Sequence, residues 1–145
     1  MNAIELKEKF NLSDAQYEKI DIYLRYLMEE NEKYNLTGIK TYDDAIYAHV
    51  VDALNAIHVN AIQSAKTILD IGTGCGVPGI ILAIAFPEKS FLLMEVIGKR
   101  IIFLKNCIAK KDSFNMSFHT FGFGNDINSS LLYGITQQIP DRKST

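Results

Sequence analysis

The stretch LDIGTGCGVPGI, residues 69–80, places Gly72, Gly74, Gly76 and Gly79 within eight positions directly after an apolar run. A turn so dense in glycine forms where φ must be positive, or where another group must come close to bare main chain. The run before it, TILDI, is short and nearly continuous in apolar residues, as in a parallel strand covered on both faces. A strand that ends in a glycine turn and feeds a helix is the opening unit of an open α/β sheet, and such sheets bind ligands beyond the carboxyl ends of their strands. The loop is therefore predicted to face a ligand, with Asp70 as the acid just ahead of its first glycine.

The segments that follow repeat the unit. Pro78 and Gly79 open GIILAIAF and Pro87 closes it, a helix with proline at its first turn and again past its end. SFLLME reads as a second strand, and Gly98 to Lys111 regains helical spacing through Ile101, Phe103, Leu104, Cys107 and Ile108. Phe114, Met116 and Phe118 alternate with polar neighbours, as a third strand would. Upstream, Tyr17, Ile20, Leu24, Leu27 and Met28 recur at helical steps from a Ser13–Gln16 capping box to about Tyr34. A second helix is predicted from Thr41 and Asp44, with an apolar stripe of Ile46, His49, Val50, Ala53, Leu54 and Ile57. The organisation read from these patterns is a helical extension over residues 1–62, an open, mostly parallel α/β domain over 63–121, and an irregular tail over 122–145.

Composition narrows the classes. A chain of 145 residues fits one domain with a single core. With 22% charged residues and a net charge of −2 there is no global basic footprint, so any contact with nucleic acid must be a local patch. Cys75 and Cys107 show no CxxC spacing and no nearby histidine cluster, so neither a metal site nor a disulfide framework is expected, and a reducing, cytoplasmic setting fits. Polar residues at the start of the chain and the lack of a membrane-length apolar run predict a protein without signal peptide or membrane span.

Two cofactor classes use a loop of this kind. Gly74, Gly76 and Gly79 spell GxGxxG, which leaves open a nucleotide-dependent oxidoreductase. Asp70, in a D-x-G-x-G-x-G arrangement, and Pro78 inside the turn point elsewhere. A carboxylate beside the glycines attracts a sulfonium and an amino group but repels a pyrophosphate, and class I methyltransferases hold the methionine part of S-adenosylmethionine in this way. Glu95 follows about 20 residues after the loop, the spacing at which an acid grips ribose hydroxyls in either class. Its alternative is an exposed strand-end acid without a ligand.

LDIGTGCGVPGI, LLMEVIGKRIIFL, NLTGI and HVVDAL together resemble the bacterial ribosomal RNA small subunit methyltransferase G family, also called glucose-inhibited division protein B, in order and spacing. The resemblance runs from the N-terminal helices to about Asp112. It implies a class I S-adenosylmethionine-dependent fold and transfer of a methyl group to N7 of a guanine in the 16S ribosomal RNA of the small subunit. It further implies that Gly72 and Val77 contact the cofactor, with Asp70, Gly74, Gly76 and Glu95 completing the pocket. Two departures stand out: the family's HxxDS ends in Ala53 here, and Val96 and Ile97 replace residues that are commonly polar. Guanine N7 carries a free lone pair, so the reaction needs alignment and no general base, and no catalytic side chain is assigned. Neither Cys75 nor Cys107 sits where a nucleophile for cytosine C5 would be needed, and small-side-chain packing accounts for both.

The remaining candidates carry two readings each. His49 and Asp52 lie three apart on the second helix, as a core histidine held by its neighbour. Their place in the family motif, with Asn35 and Thr37, instead puts them at the mouth of the site. Lys99 and Arg100 open a helix where positive charge opposes the dipole by about 0.3–1 kcal/mol each, a cost that ribosomal RNA phosphate would offset; the alternative is a solvent-facing pair. No further family motif is recognisable between Gly122 and Thr145, so the chain is expected to be C-terminally truncated or frameshifted, lacking the later strands, and an inactive fragment is a further alternative. Without a fourth strand TILDI would form an open edge prone to self-association.

Overall fold

The computed structural model describes residues 1–110 and 118–122. It opens with a helix that the sequence reading missed, α1 (Ala3–Phe10). The Asn2 carboxamide accepts the Glu5 N–H at 3.0 Å and the Glu5 carboxylate accepts the Asn2 N–H at 2.9 Å, a complete capping box. Leu6 and Phe10 are the buried side of this short helix.

Helix α2 (Asp14–Tyr34) starts and stops where predicted. Ser13 and Gln16 make both bonds of their box, and Asn35 ends the helix in the left-handed region at φ 49°. Its core side carries Ile20, Tyr23, Leu24 and Leu27; full burial stabilises a leucine by about 1.5–3 kcal/mol. Gln16 does more than cap, because its side-chain N–H₂ also donates to the carbonyls of Ile84 and Ala85 at 3.1 and 3.2 Å.

The predicted second helix is broken into pieces: α3 (Tyr42–Ala45), a π turn (Ile46–Val51), α4 (Asp52–Asn55) and a 3₁₀ turn (Ala56–His58). Thr41 makes only half of the expected box. Its hydroxyl accepts the Asp44 N–H and donates back to the Asp44 carboxylate at 2.7 Å, leaving the reciprocal backbone bond unmade. Ile46, Val50, Ala53 and Leu54 still reach the core, as the stripe required. A short α5 (Asn60–Ser64) leads into the sheet.

The sheet comprises β1 (Thr67–Ile71), β2 (Ser90–Glu95) and β3 (Phe118–Gly122), all parallel and in the order β1-β2-β3. Helix α6 (Gly79–Ala85) joins the first pair and α7 (Gly98–Ala109) the second. Both crossovers step in the same direction along the sheet, so right-handed connections put α6 and α7 on one face. In register, Ile68 lies beside Phe91 and Asp70 beside Leu93 on that covered face. Leu69 and Ile71 point the other way and are 49% and 74% exposed. This corrects the reading of TILDI as a strand covered on both faces: β1 is the outermost strand among the described residues, and only its face toward α6 and α7 is covered. Gly122, read as the start of the tail, pairs with Glu95 at the end of β3. Phe114 and Met116 of the predicted third strand, and the tail after Gly122, lie outside the described residues.

One apolar cluster unites the N-terminal helices with the sheet layer, including Leu6, Tyr23, Leu54, Ile81, Phe91 and Leu104. The helical extension therefore packs on the same face as α6 and α7, over the loop that leaves β1.

Candidate functional site

Residues 72–78 form the turn from β1 to α6, at the carboxyl end of the sheet. Gly72, Gly74 and Gly76 have φ of 72°, 63° and 101°, a region that costs an L side chain about 1–2 kcal/mol. The N–H groups of Gly72 and Thr73 both donate to the Met94 carbonyl at 2.9 Å, folding the turn over the end of β2. Those of Gly76 and Val77 donate to the Thr73 carbonyl at 3.0 and 3.1 Å.

Two carboxylates anchor the turn. Asp70 Oδ2 accepts the Thr73 hydroxyl at 2.7 Å and the Gly79 N–H at 2.9 Å, tying the start of α6 to the end of β1. Glu95, only 4% exposed, accepts the Gly74 N–H at 2.8 Å through one oxygen, and the N–H groups of Val96 and Ile97 at 2.7 and 3.1 Å through the other. Arg100 Nη1 stands 3.8 Å from the oxygen that holds Gly74. Its charge offsets part of the cost of burying that carboxylate. Glu95 is thus not the exposed strand-end acid of the simpler reading. Arg100 is not a freely solvated cation either, because its Nε is buried without a hydrogen-bond partner among the described residues.

The glycines divide by what lies beyond them. A Cβ on Gly72 or Gly74 would meet open space. On Gly76 it would come within 2.4 Å of Ile80 Cδ1 and 3.1 Å of Leu104 Cδ2, and on Gly79 within 2.2 Å of Leu93 Cδ2. Gly72 and Gly74 therefore leave the outer side of the turn bare, while Gly76 and Gly79 let α6 and α7 close on its inner side. Val77, half-buried, continues the outer side toward a cis peptide at Pro78.

The electrostatic consequence is specific. A pyrophosphate is bound by unoccupied N–H groups at the end of a strand. Here the N–H groups of Gly72, Thr73, Gly74, Gly76, Val77 and Gly79 all point to protein acceptors, and two carboxylates brace the loop. Of the loop's N–H groups only that of Cys75 has no protein acceptor among the described residues, which is too few for a pyrophosphate, while the two carboxylates favour a cation. Thr73, 2% exposed, belongs to this machinery but was not singled out from sequence; the usable signal is a hydroxyl three residues after Asp70 in a glycine turn.

A second cluster adjoins the first through α7. Lys99 Nζ donates to the Asn35 carbonyl at 3.0 Å, and Lys40 Nζ to the Asn35 side-chain oxygen at 2.9 Å. Buried Asn31 folds this segment back, donating to the Ile39 carbonyl and accepting the Thr37 N–H. His49 Nε2 lies 3.2 Å from the Thr37 hydroxyl, so its partner is Thr37 and not Asp52, as the helix spacing had suggested. The π turn breaks the regular spacing that would have faced those two side chains. Burial pushes the His49 imidazole below its ordinary range, which keeps it neutral at pH 7. Asp52 is exposed and lines an open groove of about 600 Å³ with Lys40, Asp44 and Tyr47. The structure thus gathers Asp70, the glycine loop, Glu95 and Arg100 in one place, and Lys99, Asn35 and His49 in a neighbouring one.

Cys75 and Cys107 are both buried thiols. Burial pushes Cys75 up and Cys107 to about 12, so neither is a thiolate at neutral pH. Among the described residues no group of three His, Cys, Asp or Glu could hold a metal ion, and no helix is long and apolar enough to cross a membrane.

Residues 16–119 match the family model described as rRNA small subunit methyltransferase G. The chain belongs to this family. It is 41% identical over 107 residues to Ribosomal RNA small subunit methyltransferase G of Lachnoclostridium phytofermentans, covering 74% of this chain and 44% of that protein. The protein of the same name from Actinobacillus pleuropneumoniae is 38% identical over 109 residues, covering 75% and 52%. That of Clostridium botulinum is 42% identical over 100 residues, covering 69% and 41%. The chain spans about half the length of the curated relatives it matches. With this membership, the parallel sheet, the glycine turn after β1 and the helical extension are those of a class I, Rossmann-like methyltransferase fold.

Proposed function

We propose that the loop and the two strand-end acids form an S-adenosylmethionine site, serving methylation of a guanine N7 in the 16S ribosomal RNA of the small subunit. The observation that carries this reading is the inward direction of the loop N–H groups, with carboxylates at the ends of β1 and β2. That arrangement disfavours the pyrophosphate of a dinucleotide and favours a sulfonium and an ammonium group. In this reading Gly72, Gly74 and Val77 offer bare or apolar surface to the cofactor. Asp70 and Glu95 supply negative potential, and Gly76 sets the curvature of the turn. When bound, the cofactor supplies an electrophilic methyl group. The chain's own work is alignment and exclusion of water, because guanine N7 presents its lone pair without losing a proton.

The names of the relatives support ribosomal RNA as the substrate class. Lys99 and Lys40, beside Asn35, are cations that suit phosphate, and Lys40 and exposed Asp52 line the open groove that would receive a base. A binding experiment tests the cofactor directly. S-adenosylhomocysteine at 100-fold over its Kd should stabilise the chain by about 2.7 kcal/mol, several degrees in Tm, and a nicotinamide dinucleotide should leave Tm unchanged. The reverse pattern would overturn the assignment.

A further inference from the structure

We infer that Tyr23, in the middle of α2, is a positioning residue for the cofactor loop; this rests on the S-adenosylmethionine reading above. Tyr23 is fully buried, and its hydroxyl donates to the Cys75 carbonyl at 2.7 Å across 52 positions of sequence. Cys75 lies between Gly74, whose outer side is open, and Gly76, whose inner side is packed. The next peptide N–H, that of Gly76, is bonded to the Thr73 carbonyl. The peptide joining Cys75 to Gly76 is therefore fixed at both its polar ends. With the Glu95 bond to the Gly74 N–H, the two flanking glycines lose the rotational freedom that positive φ and missing side chains would otherwise give them.

The phenol is suited to this duty. Its ring packs against Phe103 of α7 at 6.4 Å between centroids, within the core and away from the loop bond itself. Burial holds its ionisation well above the usual tyrosine range, so it remains a donor at neutral pH. Cys75 is buried, as is its bond to Tyr23, and removing the donor would leave a buried acceptor unpaired. The loop's simplest relief is to rotate the Cys75–Gly76 peptide outward, into the space that Gly72 and Gly74 leave open. The N-terminal helical extension, which makes no other contact with that peptide through a side-chain hydrogen bond among the described residues, thereby sets the shape of the site.

The test separates positioning from plain stabilisation. In the full chain, Tyr23→Phe should weaken S-adenosylhomocysteine binding, read by calorimetry well below Tm, about tenfold, and should speed amide hydrogen exchange in residues 72–77 while β2 is unchanged. Phe103→Leu, which thins the same core without touching the loop bond, should lower Tm comparably and leave affinity within twofold. Wild-type binding with equal affinity in Tyr23→Phe, or equal weakening in Phe103→Leu, would overturn the role of Tyr23 alone. A wild-type chain that binds no S-adenosylhomocysteine would overturn the reading of the site, and this role with it.

Discussion

Gly72 and Gly74 differ from Gly76 and Gly79 although all four belong to one short turn. The first pair borders open space on the side where a Cβ would stand. The second pair is pressed against Ile80, Leu104 and Leu93, so its lack of side chains lets two helices approach the sheet. A glycine-rich loop is commonly explained by its ligand alone. In this chain half of that composition answers to the core, and the loop holds its outer shape because its inner half is packed.

The largest expected effect tests the packed half. Gly76→Ala adds a methyl group 2.4 Å from Ile80 Cδ1 at a φ of 101°, which combines overpacking of about 1–3 kcal/mol with a backbone cost of about 1–2 kcal/mol. Urea denaturation should show a loss of about 2–5 kcal/mol. A loss below 1 kcal/mol would mean that the two halves do not differ as described.

The open half should respond in binding instead. Gly74→Asn keeps a residue that tolerates the left-handed region, and its side chain enters empty space, so stability should fall by less than about 1 kcal/mol. Affinity for S-adenosylhomocysteine should nonetheless drop by at least about tenfold, because the new side chain occupies the cofactor's side of the turn. Undiminished binding by calorimetry would remove Gly74 from the site.

The smallest effect reads the boundary between the halves. Cys75 is buried with its ionisation raised, so iodoacetamide should label it far more slowly at pH 8 than a free cysteine, in a Cys107→Ser background. Because burial raises the thiol pKa, the rate should keep climbing above about pH 10, where an unperturbed thiol has levelled off. Labelling at the speed of a free thiol would show that the loop opens readily on its packed side.

Much of this was legible in the chain. The bounds of β2 at Ser90 and Glu95, the start of α2 at the Ser13–Gln16 box and the placing of the glycine turn after TILDI all follow from local patterns, and each is where the sequence put it. The misses have a common cause. Helix α1 was passed over because its eight residues carry only two core side chains, although the Asn2–Glu5 box was present. The π turn at Ile46–Val51 preserves the apolar stripe while breaking the spacing that would have paired His49 with Asp52. Tyr23 reads as one more apolar position on an amphipathic helix, and nothing near it in sequence reveals the carbonyl that its hydroxyl meets.

The sequence by itself determined the loop's local frame: a glycine turn directly after an apolar strand, an acid at the end of each of the first two strands, and a helix start at Pro78. These are demands of neighbouring residues on one another, set by steric limits and strand length that a short window contains. Only the tertiary structure decided which glycines face the core, that Glu95 is buried against the Gly74 N–H and Arg100, and that α2 reaches over to hold Cys75. Those outcomes depend on how α2, α6 and α7 stack on one face of the sheet. The direction of a Cβ or an N–H beyond a turn is fixed by the groups packed against it, and here those groups come from up to 52 positions away.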